Sequence, residues 1–168
     1  MYNNIFYELF DAEEHSKFIK SVEKQFRTSP EYSLWLNSVV HRHNCGATGL
    51  NKDADGIEIE VHHYRITLYN WVEHIIDKFM SEDLNLNSHY ICLILSDIHL
   101  NNTVPYIPLM HCVHRMIHNS SMEDVLLKYP DIINNIYNGD VDRAYEIIDY
   151  HISILKDILD NENNIGDN

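Results

Sequence analysis

The chain has 168 residues, of which 45% are hydrophobic and 23% charged, enough for one well-filled core and a single domain. Twelve Lys and Arg against 26 Asp and Glu leave a formal net charge of −14, which excludes a protein that coats nucleic acid non-specifically through a basic surface. No run approaches the roughly 20 consecutive apolar residues of a membrane span, and Met1-Tyr2-Asn3-Asn4 lacks the parts of a secretory signal, so a soluble, cytoplasmic protein without membrane partners is expected.

Asp11 with Glu14, ahead of Phe18, Ile19, Val22 and Phe26, reads as a capping box opening an amphipathic helix that ends near Arg27. Ser29-Pro30 offers a cap and a first-turn proline for a second helix, Glu31 to about Val40, with Tyr32, Trp35, Leu36 and Val39 on one face. From His41 to Gly56 the polar, glycine-containing pattern suits loops and turns. Ile57-Glu58-Ile59-Glu60-Val61-His62 then alternates apolar and polar with period two, a strand that delivers His62 and His63 at its end.

Thr67 caps an expected helix Leu68–Met80, and Ser88 another from His89 to about Leu100. Thr103-Val104-Pro105-Tyr106-Ile107-Pro108 is extended, since each proline disfavours helical geometry in its predecessor. A helix from Leu109 to about His118 follows. Ser121 with Asp124 starts a further short helix, Val125 to Tyr129, and another, Asp131 to Tyr137, stops at Gly139. Asp140 caps a longer helix through Ile158, and the Asn- and Asp-rich tail Asp160–Asn168 has almost nothing to bury and is expected to be disordered.

Histidine is the outlier in composition, with 12 residues. His62 and His63 are adjacent at a strand end, where side chains alternate between faces, so one can bind a metal while the other faces a substrate. His114 and His118 lie four apart on an expected helix, a spacing that lets both imidazoles reach one ion, and His111 is on nearly the same face. Phosphodiester hydrolysis needs an activated water, an imidazole base titrating near neutrality and a cation to offset charge on the phosphate, and this set can supply all three. Imidazole ligands favour zinc, nickel, cobalt or manganese over magnesium.

The run Ile59-Glu60-Val61-His62-His63-Tyr64, followed by Val104-Pro105-Tyr106-Ile107-Pro108-Leu109 and then His114-Arg115-Met116-Ile117-His118-Asn119, resembles the HNH, or ββα-metal, endonucleases. It looks most like small phage-encoded members, and the likeness covers roughly residues 45 to 119. The resemblance implies an α+β, mostly helical fold in which two short strands and a helix form a metal-binding element within one domain, residues 1–159. It further implies metal-dependent cleavage of nucleic acid, DNA foremost, with one divalent ion (Zn, Ni, Mn or Mg). His62, His114 and His118 would be metal ligands and His63 the general base. Arg65 and Arg115 would contact substrate, with His99 and His111 as accessory residues, and the location would be the host cytoplasm.

The chain departs from that pattern in three ways. Two expected helices separate the His pair from the second strand, and Cys-x-x-Cys knuckles are absent, Cys45, Cys92 and Cys112 being read as reduced thiols. The acidity requires that Lys52, Arg65, Arg115 and a few others gather beside the metal while acid faces away. It also suggests an alternative: a phage-type protein on the same scaffold that binds a basic host or phage protein without cleaving. His41, His43 and Cys45 read as a solvated loop, Trp35 and Trp71 as core, and His74, His89 and His151 as core or boundary residues.

Overall fold

Phe18, Ile19, Val22 and Phe26 recur at helical spacing and are all buried, which makes α1 (Ala12–Arg27) the inner wall of a helical core. The computed structural model describes residues 12–166, so the Asp11 half of the expected capping box lies outside the described residues. Ser29 caps α2 (Pro30–Arg42) by accepting a hydrogen bond from the Tyr32 amide, with Pro30 in the first turn. A single turn, α3 (Lys52–Asp55), interrupts the following loop and is closed by Gly56 in the left-handed conformation.

Next come β1 (Ile59–His63), α4 (Leu68–Ser81) and α5 (Ser88–Leu100). Thr67 and Asn70 form a reciprocal capping box at the start of α4, and α5 is capped by Asn87 one residue before the expected Ser88. β2 (Tyr106–Met110) leads directly into α6 (His111–Asn119), then α7 (Met122–Lys128), a 3-10 turn (Pro130–Asn135) and α8 (Val141–Gly166).

The fold is α+β and mostly helical, with one antiparallel pair of strands. β1 pairs with β2 in a register that sets His62 opposite Ile107 and His63 opposite Tyr106. Pairing carries β2 through Leu109 and Met110, so α6 begins at His111, two residues later than expected. Gly46 donates its amide to the Pro108 carbonyl and locks the Cys45 turn onto the strand. All three cysteines are free, in agreement with the reduced reading.

The two faces of this small sheet meet different cores. Ile59 and Val61 join the main cluster built from α1, α2, α4, α5 and α8, in which Trp35, Trp71, Phe26 and Phe79 are almost fully buried. Each such side chain contributes about 1.5–3 kcal/mol by leaving water. Ile107 and Leu109 face the other way and pack with Val113 and Ile117 of α6 and Val125 of α7. α6 therefore lies across the sheet face that carries Glu60 and His62.

Gly139 anchors the return from the 3-10 turn. Its φ is +64°, and an added Cβ would stand 2.2 Å from the Thr103 carbonyl oxygen, so no other residue fits there. α8 runs past its expected end near Ile158 to Gly166, through most of the tail expected to be disordered. Extending a helix already nucleated by buried Ala144, Ile148 and Ile152 costs little, even for polar sequence. Among the described residues, no helix is long and apolar enough to cross a membrane.

Candidate metal centre

β1 alternates buried and half-buried residues, so Glu60 and His62 share one face while Val61 and His63 share the other. α6 crosses the first face and brings His114 and His118 to His62. Ligand-capable atoms of these three histidines all lie within 4.8 Å of one another, and the ring centroids are 5.4 Å (His62–His114), 5.6 Å (His62–His118) and 4.6 Å (His114–His118) apart. The three sequence-predicted ligands therefore converge, although two helices separate β1 from α6 in the chain.

Glu60 sets the donor geometry. Its two carboxylate oxygens accept from His111 Nδ1, at 2.6 Å, and from His114 Nδ1. Burial alone would raise the Glu60 carboxyl, but the hydrogen bonds from His111 and His114 outweigh it and hold the group below its ordinary value, as a carboxylate. A carboxylate on Nδ1 leaves His114 Nε2 bare, and that atom lies 3.1 Å from His118 Nε2. Two ring nitrogens so placed share either a proton or a cation. A tetrahedral ion with bonds of about 2.0–2.1 Å spaces its ligands by about 3.3 Å, a spacing that the His114–His118 pair matches.

His62 is suited to such a role. Burial, followed by the nearby His114 and His118, pushes His62 down to about 4, so the ring is neutral at physiological pH and its lone pair available. A cleft of about 260 Å³ opens above the three imidazoles, lined also by His63, by Glu23 and Arg27 of α1, and by Thr67 and Leu68 at the N-terminus of α4. Arg27 lies beside both Tyr32, 3.3 Å from Nη1 to the hydroxyl, and Glu23, 3.7 Å away.

His63 lines the cleft from the opposite face of β1 and is 7% exposed. Its Nε2 lies 3.0 Å from His99 Nε2, and the two rings are flanked by Phe26, Tyr32 and Trp35. Burial, then His99 and Arg27, push His63 well below its ordinary value. His99, expected as an accessory, is thus a partner of His63 and stands apart from the three converging histidines. His111, the other accessory, acts on Glu60, and these two residues join Glu58 in a separate, solvent-facing group of polar side chains.

Neither arginine expected at the substrate is in the cleft. Arg65, with φ +65°, lines a separate concavity with Trp71, His74 and Tyr145, because the chain turns away from the sheet immediately after β1. Arg115 is exposed and, one position beyond His114, projects off the helix face that meets the sheet. Lys52 sits in α3 and does not line the cleft either, so the expected gathering of these basic residues beside the metal does not occur. Arg27 lines the cleft instead; its position in the sequence, at a helix end, carried no functional signal. Glu60 was legible in hindsight, since period two sets it on the face of His62.

His41, His43 and Cys45 go to separate partners, Asp53, the Tyr106 hydroxyl and the Met110 amide, and form no cluster among the described residues. His89 and His151 pair with Gln25 and Asp97, and His74 packs on Tyr145, as boundary residues do.

No curated protein and no solved structure matches the chain. A family model described as "Bacteriophage G278-like virion protein" matches residues 1–166. That match supports the phage side of the resemblance and shows no endonuclease family. The chain belongs to the bacteriophage G278-like virion protein family.

Proposed function

We propose that this protein is a metal-dependent endonuclease of the HNH, ββα-metal type that hydrolyses nucleic-acid phosphodiesters, with DNA as substrate. One observation carries the reading: His62, His114 and His118 converge below a cleft that His63 also lines from the neighbouring strand position. His62, His114 and His118 would hold one divalent ion. When bound, such an ion polarises a phosphoryl oxygen and stabilises charge on the leaving oxygen.

The chain's own groups supply the rest. Glu60 orients His114 through Nδ1, which leaves Nε2 for coordination. His63, kept neutral by burial, accepts a proton from the attacking water. Arg27 and the N-terminal end of α4, where Thr67 and Leu68 line the cleft, favour an anionic phosphate. The net charge of −14 restricts this binding to the cleft, so affinity for extended duplex is expected to be weak and strongly salt-dependent.

The same charge, with Arg65 and Arg115 outside the cleft, favours a second reading in which the scaffold engages a basic protein without cleaving. Both are tested by incubating the purified protein with plasmid, single-stranded and branched DNA in the presence of zinc, nickel, manganese or magnesium. Metal-dependent cleavage that is lost in His63→Gln and in His114→Ala supports the enzyme, provided His63→Gln still binds metal. Absence of cleavage with every ion and substrate overturns it and leaves the second reading.

A further inference from the structure

We infer that His99 is a positioning residue: it fixes His63 in the tautomer protonated at Nε2, which leaves the lone pair on Nδ1. The inference follows from a chain of three polar groups. The Leu95 carbonyl can only accept, and His99 Nδ1 lies 2.6 Å from it, so Nδ1 of His99 carries a hydrogen. His99 is fully buried among Phe26, Tyr32 and Trp35, and among the described residues no carboxylate acts on it there. An uncharged ring has one N–H, and in His99 that hydrogen is already on Nδ1.

His99 Nε2 is therefore a bare acceptor. The hydrogen in the 3.0 Å contact between the two Nε2 atoms must come from His63. That places the lone pair of His63 on Nδ1, the ring nitrogen not engaged with His99. The opposite order, with His63 Nε2 accepting, requires a doubly protonated His99 in an aromatic cage beside the Arg27 charge, which burial opposes. When Nδ1 gains a proton, His63 becomes an imidazolium whose Nε2–H still donates to the His99 lone pair, so the ring need not turn during the reaction.

The arrangement is carried by the fold. α5 presents His99 one turn after Leu95, and β1 presents His63 on its core face, so the contact joins the expected general base to the helix inserted between the two strands. The catalytic consequence rests on the nuclease reading above; the tautomer does not.

The test is two-bond 1H–15N correlation NMR on uniformly 15N-labelled full-length protein at neutral pH, with zinc added, the His63 signals being identified by their loss in His63→Gln. The expected pattern is a protonated Nε2 and an unprotonated Nδ1 for His63, with the reverse pattern for His99. In His99→Phe the His63 pattern is expected to change, and kcat for cleavage to fall about 100-fold, the lower range of what a positioned base contributes, with KM and zinc affinity unchanged. His99→Gln, whose amide oxygen can accept from Nε2–H, is expected to restore much of the rate. A wild-type His63 protonated at Nδ1 overturns the inference, as does His99→Phe with unaltered His63 signals and unaltered kcat. If the wild type cleaves nothing, the NMR pattern alone decides the tautomer, so failure of the nuclease reading is distinguished from failure of this one.

Discussion

The two faces of β1 carry two groups of histidines built on opposite plans. On the outer face, His62, His114 and His118 stand at a cleft, and a carboxylate, Glu60, braces one of them. On the inner face, His63 and His99 lie in an aromatic cage, and the brace is the Leu95 carbonyl. A carboxylate on Nδ1 orients a ring and leaves its other nitrogen bare, whereas a neutral carbonyl fixes a tautomer without inviting a second proton. Residues adjacent in sequence thus acquire different chemistry because a strand sends them into different surroundings.

The sharpest way to break this comparison is to remove an expected ligand from the outer face of β1 and a bystander from the helix that crosses it. His62→Ala is expected to lose zinc by more than the roughly 100-fold of an outer-shell change, and to lose cleavage with it. His111→Ala, which removes only one of the two partners of Glu60, should change zinc affinity by less than about tenfold. Calorimetric titration with zinc measures both, and equal losses would mean that the outer face has no distinct ligand set.

Glu60→Gln probes the brace. The amide keeps the size but offers one acceptor oxygen and no charge, so zinc affinity is expected to fall about 10–100-fold while the fold survives. An unchanged affinity would show that His114 is oriented by packing alone. The inner face should remain untouched, with the His63 NMR pattern as in the wild type.

The smallest effect concerns stability against acid. Burial first, together with the Arg27 charge, pushes His99 down to about 3 from an ordinary 6.5 despite the favourable Leu95 bond. The unfolded chain therefore takes up this proton before the folded one as pH falls. The contribution is fully present above pH 6.5 and is lost progressively towards the folded value. His99 alone implies a loss of about 2 kcal/mol between pH 7 and about pH 5. Urea unfolding of metal-free protein at the two pH values checks it, and His99→Phe should flatten the dependence.

Much of the scaffold was legible because its signals are local. Thr67 and Ser121 announce helix starts through their own side chains, and the apolar spacings of α1 and α4 show which faces will be buried. The convergence of His62, His114 and His118 was legible for the same reason, through a strand period of two and a helical spacing of four. Boundaries failed where pairing or propagation decided them: β2 extends to Met110 because β1 holds it there, and α8 continues to Gly166 because its earlier turns are docked.

The arginines failed for a deeper reason. Arg65 and Arg115 are close in sequence to the histidines, but the turn after His63 and the pitch of α6 carry them away, while Arg27, distant in sequence, is delivered by the packing of α1.

By itself, the sequence determined which histidines could act together, since periodicity is a property of the local backbone. Only the tertiary structure decided which of them gather at the cleft and which face each other, because that depends on the long-range pairing of β1 with β2 and on α5 bringing His99 beneath the strand. Proximity across the fold, and the hydrogen-bond direction it imposes on each ring, is not written in any local spacing.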